Sequence, residues 1–312
     1  MRSRLSPAAY RRVTLLALGA LVFIVVTGGA VRLTGSGLGC TDWPNCSEDR
    51  LVAPLEYHAM VEFVNRMVTG LVSVAVIVAV LGALLRTPRR RDLTRLAAGL
   101  VAGVIGQIVL GGITVLFHLH PALVMSHFLL SMVLVADAVV LHERAGQPDD
   151  GERRLAVSPA TLQWGRAVLV LAAVAVFTGT IVTASGPHGG DEDVRRLGFA
   201  LRDVARIHGT VVVAFLAVTL LTLRRVAAEG ASAATRRRGL VLLAVIVGQA
   251  AVGYTQYFTG VPVLLVGVHI AGATAVWIAA VRFRLGLTPR VTPPAPVDAD
   301  ATAGRATRLA SA

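Results

Sequence analysis

The residues best able to do chemistry in this chain are histidines set inside apolar runs. Eight histidines are present, at positions 58, 118, 120, 127, 142, 188, 208 and 269. His127, His208 and His269 each fall a few residues inside a long apolar segment, about 6–11 Å from its nearer end at about 1.5 Å of rise per residue. Ionisable side chains at such depth usually face a bundle interior and often mark function. Taken singly, each would also be satisfied by a hydrogen bond to a neighbouring helix. His208 and His269 lie on different segments at similar depth, and two neutral imidazoles facing each other across a bundle can ligate a haem iron from both sides. A zinc site asks for more nitrogen, sulfur or carboxylate ligands, and the sequence offers none at that depth in this half. Haem is the better match.

Glu62 stands near the start of another apolar segment, where a carboxylate needs a partner. Arg66, one turn on, can supply an ion pair. The alternative is an acid–base or charge-stabilising group beside a ligand site. Cys40 and Cys46, in the stretch CTDWPNC, can close a small ring about a Trp-Pro turn. Two cysteines are too few for a disulfide scaffold, and no CxxC pair suggests zinc. A loop staple and a labile, electron-exchanging pair both remain open to them. His58, His118 and His120 read as interfacial, although one of them could reach a site in the N-terminal half. His142 and His188 carry no assigned role.

Membrane helices must position these residues. Of 312 residues, 55% are hydrophobic and 15% charged, against about 25% charged in a soluble domain. A helix crosses a bilayer with about 20 apolar residues. Candidate spans fall at roughly 13–32, 60–85, 94–116, 122–141, 165–184, 204–223, 239–258 and 262–281. The first follows Arg11-Arg12 and reads as a retained anchor rather than a signal peptide. The net charge of +12 comes from arginine without lysine. Arginines concentrate at the N-terminus, after the second, fourth and sixth spans, and at the C-terminus. The positive-inside tendency then puts both termini in the cytoplasm and the cysteine loop on the oxidising side, where disulfides persist. The charge is thus a topology signal, and nucleic acid is not needed to explain it. The tail from about Thr288, rich in Pro, Ala and Asp, is expected to be disordered.

Two stretches match across the midpoint. Gly106-Gln107 followed by LGGITV, Pro121 and His127 aligns with Gly248-Gln249 followed by VGYTQY, Pro262 and His269, at offsets of 141–142. A weaker match joins Thr27-Gly28 to Thr178-Gly179. A duplication predicts an all-α membrane protein built as two parallel four-helix bundles. The expected organisation is an N-terminal half over 1–142, a linker over 143–163, a C-terminal half over 164–284 and a tail over 285–312. His127 then corresponds to His269, and Asn65 to His208. Nothing acidic matches Glu62, whose counterpart is near Ala205. The asymmetry predicts one half that holds a cofactor and another that does chemistry.

Together these residues resemble the haem A synthase family. The resemblance rests on TGGAVRLTGSGLGCTDWPNC after the first span, on Glu62-x-x-Asn65-Arg66, on GQIVLGGITV with His127 following, and on His208 and His269. It covers residues 13 to 282, and the first-loop motif is its most specific part. The resemblance implies eight spans in two four-helix halves and a haem b held by His208 and His269. It further implies that haem o enters the N-terminal half at His127, where a porphyrin methyl becomes a formyl to give haem a for terminal oxidase biogenesis. Glu62 is implicated in that chemistry, and the cysteine pair supports activity. Where the family motif has Glu-x-x-His-Arg, this chain has Asn65, which leaves one face of the substrate iron open or weakly held. Haem o synthase and terminal oxidase assembly factors are the partners the resemblance suggests, alongside membrane lipid. A b-type electron-transfer protein without substrate chemistry is the main alternative, and Asn65 is its best support. A transporter would need matched Gly/Pro breaks at the midplane, and none is evident.

Overall fold

The computed structural model describes residues 4–292. It is helical apart from one two-residue strand pair. The helices are α1 (Pro7–Leu33), α2 (Tyr57–Leu85), α3 (Arg91–Leu116), α4 (Pro121–Ala145), α5 (Pro159–Ser185), α6 (Leu201–Ala228), α7 (Ala233–Phe258) and α8 (Val263–Gly286). All eight are long and apolar enough to cross a membrane, and the protein is a multi-pass membrane protein. Several begin or end a few residues beyond the apolar runs. Polar caps set those ends: Ser6, Ser158 and Ser232 each accept the backbone N–H three residues on, with proline following the first two. Such caps satisfy N–H groups that have no partner inside the helix.

α1 to α4 form a closed ring in which each helix touches the next and α4 returns to α1. α5 to α8 do the same, and the rings meet through α1 and α4 against α8, and α4 against α5. Lipid removes most of the hydrophobic drive between helices, so close approach and polar bonds matter more. At the seam between the rings the Trp277 indole donates to the Met132 carbonyl at 2.8 Å. Glu143 of α4 accepts from Arg238 at 2.6 Å and from Arg282 at 2.8 Å. Large apolar side chains such as Leu16, Leu71 and Leu264 point outward, as lipid-facing residues must.

The connections sort to two ends. At one end Leu5 bridges to Arg86, Arg86 pairs with Asp149, and Ser158 bonds Glu229. There too, strand β1 (Glu152–Arg153) pairs antiparallel with β2 (Arg290–Val291). The tail expected from about Thr288 therefore begins in a short pairing, fixed by its backbone against the loop after α4. Residues from 293 on lie outside the described residues. At the other end Gly37 donates to the Gly190 carbonyl at 2.8 Å, and His188 bonds the Val261 carbonyl at 2.9 Å. Leu119, held at a φ of 54° in the α3–α4 turn, packs into space that only glycine at 37 leaves open.

Candidate haem sites

α6 and α8 bring His208 and His269 together. Their ring centres are 6.4 Å apart and the rings are inclined at 75°. Two imidazoles sharing one metal through bonds of about 2 Å place their centres roughly 6 Å apart. Each ring rests against a glycine on the neighbouring helix. A Cβ at Gly179 would lie 3.3 Å from His208 Cε1, and one at Gly253 would lie 3.0 Å from His269 Cε1. Thr178 Oγ1 lies 3.0 Å from His208 Nδ1, which fixes the ring and leaves Nε2 for another partner. Gln249 donates to the His269 carbonyl at 2.8 Å. His269 Nδ1 is buried without a hydrogen bond. Among the described residues no group of three His, Cys, Asp or Glu side chains converges. A pair of imidazoles suits a porphyrin iron, whose other ligands come from the macrocycle, and the donor set fits haem.

The N-terminal ring repeats half of this arrangement. His127 on α4 lies against Gly111 of α3, where a Cβ would sit 3.2 Å from Cε1. Gln107 donates to the His127 carbonyl at 3.0 Å and to Ser131 Oγ at 2.6 Å. His127 Nδ1 is buried and unpartnered, and so is Asn65 Oδ1. Asn65 lines a groove of about 550 Å³ between α1 and α2, with Thr27, Phe23 and Tyr57. Thr27, which the weaker sequence match aligns with Thr178, donates to the Ile24 carbonyl of its own helix. No hydrogen bond joins Asn65 to His127 among the described residues.

Glu62 faces the cysteine loop. Its Oε2 accepts the Cys40 backbone N–H at 2.7 Å, and its Oε1 pairs with Arg66 at 2.6 Å. Arg66 also donates to the carbonyls of Asn45 at 2.9 Å and Asp42 at 3.1 Å. Cys40 and Cys46 are joined by a disulfide, and both are buried. The closed ring is thus clamped to α2 by one carboxylate and one guanidinium. On its other side Trp43 lies against Gly112 of α3, so closely that a Cβ there would enter the indole. Gly112 adjoins Gly111, on which the His127 ring rests. The ring therefore spans from Glu62 to the helix beside His127.

The ion pair foreseen with Arg66 is present, and the link from Glu62 to Cys40 is an addition that side-chain spacing could not show. Thr178, Gln107 and Gln249 were also missed as supports. The Gly-Gln pairs matched across the midpoint were the visible signal for Gln107 and Gln249, and the weaker Thr-Gly match was that for Thr178. His58 is held through Nδ1 by Ser36 at 2.9 Å. His118 and His120 are exposed in the α3–α4 turn. His142 bonds Thr14 Oγ1 at 3.1 Å.

A family profile described as cytochrome oxidase assembly protein, COX15-CtaA, matches residues 11–187. The chain belongs to that family. The match takes in Cys40, Cys46, Glu62, Asn65 and His127, and stops before His208 and His269. Among curated relatives, a protein named Heme A synthase from Exiguobacterium sibiricum is 28% identical over 171 residues, 53% of this chain and 56% of that protein. One of the same name from Listeria welshimeri is 31% identical over 121 residues, 38% of this chain and 40% of that protein. Another from Lysinibacillus sphaericus is 26% identical over 122 residues, 39% and 40% of the two chains. The matched segment spans about half the length of these relatives or less.

Proposed function

We propose that this family member is a haem A synthase of the cell membrane, with both termini cytoplasmic and the cysteine loop outside. Its substrate is haem o, on which a methyl group loses two hydrogens and gains an oxygen from water to become the formyl of haem a, while four electrons and four protons leave, the electrons to an external electron acceptor. The product serves terminal oxidase biogenesis. Haem o synthase and oxidase assembly factors are the partners that reading brings with it. The division of labour follows the two-bundle repeat over 1–142 and 164–284, with a linker over 143–163. The observation that carries the reading is the unequal equipment of two similar rings. One presents a facing histidine pair, and the other presents one histidine and a carboxylate bound to a disulfide ring.

In the C-terminal ring, His208 and His269 would hold haem b through their Nε2 atoms, and that group would supply one-electron transfer. Thr178 keeps the His208 ring turned, and Gln249 ties down the backbone of His269. In the N-terminal ring, His127 would take the substrate iron on one side, with Asn65 facing the other as a neutral, weak donor. Once the methyl carbon has lost two electrons and a proton, the Glu62 carboxylate would balance the positive charge there, or accept a proton as water adds to it. Arg66 and the Cys40 N–H hold that carboxylate in place, and the clamped ring covers it from outside.

Pigment extraction from protein purified from a host that makes haem o but no haem a tests this. Haem a in the extract supports the synthase. Haem b alone supports the b-type electron-transfer reading, which Asn65 favours. Protein that neither carries haem nor responds spectrally to added haem removes both.

A further inference from the structure

At the arginine-rich end a cleft of about 630 Å³ opens between the start of α1 and the end of α4. It lies away from His127, His208, His269 and Glu62. Arg11, Arg12, Arg86, His142 and Asp149 are its titratable lining residues. Asp149 is the only acid among them, and it is already committed to Arg86 at 2.6 Å and Arg90 at 3.6 Å. His142 is bound through Nδ1 to Thr14. Arg11 and Arg12 enter no ion pair among the described residues. Arg86 has a side chain only 1% exposed, yet its Nε is buried without a partner. The first turn of α1 also lines the cleft through Pro7 and Ala8, and a helix start carries positive potential. Gly146 leaves the room Arg11 needs, because a Cβ there would sit 2.8 Å from Arg11 Nε.

We propose that this cleft binds the phosphate of an anionic phospholipid. The charge selects an anion, and the position selects a lipid. Leu15, about two turns into α1 and one turn beyond Arg11, lines the cleft and is 54% exposed, and Leu16 beside it is 71% exposed. A headgroup seated on Arg11 and Arg12 would send its acyl chains along that apolar wall. A soluble phosphate would leave the wall unused. The bound lipid would brace the α1–α4 seam of the ring that contains His127.

Native mass spectrometry of the full chain, delipidated in detergent and titrated with phosphatidylglycerol or phosphatidylcholine, tests the site. A single phosphatidylglycerol should be retained at least tenfold more tightly than phosphatidylcholine. Basic residues near anionic lipid each contribute about fivefold, so the Arg11→Gln/Arg12→Gln variant should bind phosphatidylglycerol roughly thirtyfold more weakly. The Arg236→Gln/Arg237→Gln variant removes equal charge from the same end and should keep the preference. Thermal unfolding of each variant checks that it is folded. Equal losses in both double variants, or no preference between the lipids, would overturn the proposal. So would full displacement of phosphatidylglycerol by inorganic phosphate, which would make the site one for free anions.

Discussion

Removing the Glu62 side chain should free the cysteine ring. Cys40 is fully buried and Cys46 is 3% exposed, so a soluble reductant reaches the bridge only when the ring lifts off α2. The reduction rate then reports the population of that opened state. In Glu62→Ala the Cys40 N–H loses a charged acceptor, and a hydrogen bond to a charged group contributes about 1.5–3 kcal/mol. Taking about 2 kcal/mol, the open population and the reduction rate rise roughly thirtyfold. Arg66→Ala leaves Glu62 buried and uncompensated, and frees the carbonyls of Asp42 and Asn45. Breaking a fully buried pair costs about 3–5 kcal/mol, but the Arg66 side chain is 20% exposed and solvent screening brings this nearer to about 2 kcal/mol. Glu62→Gln keeps an oxygen for the Cys40 N–H and loses only the charge. About 1 kcal/mol, or roughly fivefold, is expected there. The assay is timed reduction and alkylation of protein in membranes, read by gel shift. Equal rates in the unmodified protein and all three variants would refute the clamp. Glu62→Gln also separates docking from chemistry. Near-normal protection with lost haem o conversion assigns the charge to the reaction, whereas normal conversion removes Glu62 from it.

Three further outcomes follow from the geometry. Gly253→Val should displace the His269 ring and cost bound haem b, since overpacking a tight contact costs about 1–3 kcal/mol. Gly248→Val, where a Cβ would meet nothing within 4 Å, should retain haem b in the same absorption measurement. Asn65→His should add a second low-spin haem signal by electron paramagnetic resonance if residue 65 faces His127 across the substrate, and an unchanged spectrum argues against that facing. Glu229 accepts from Thr161 Oγ1, Ser158 N and Ser158 Oγ, and these bonds, the one from Thr161 foremost, hold its carboxyl below the ordinary glutamate range. A depressed folded value means its stabilising effect is complete above the unfolded value and is lost as pH falls through the folded one. Amide protection at the start of α5 should be flat from neutral pH to the ordinary carboxylate range and decline below it, and Glu229→Gln should abolish that dependence.

Apolar runs carried the eight helices, because lipid imposes one period and a minimum length on every span. The helix ends were less legible, since caps such as Ser158 and Ser232 lie outside the apolar signal. The His208–His269 pairing followed from depth on two segments, and depth along a helix is linear in sequence. What lay beyond reach was sideways. Which way Glu62 turns depends on a loop folding back across 22 residues to offer the Cys40 N–H. Trp43 against Gly112 and Thr178 against His208 are likewise contacts between elements, with no periodicity to announce them. The short pairing of Arg290–Val291 with Glu152–Arg153 rests on backbone bonds, to which composition is blind.

On the proposed reading the ring carrying Glu62 and His127 transforms a haem while the other ring only holds one. Expressing the unmodified protein in a host that makes haem o but no haem a, and following the porphyrin products by mass and absorbance, tests it most directly. A formyl-bearing product is expected, lost in His127→Ala while haem b is retained. Protein that keeps haem b and an intact Cys40–Cys46 bridge, yet leaves haem o unchanged in a host that supports an authentic synthase, would contradict it.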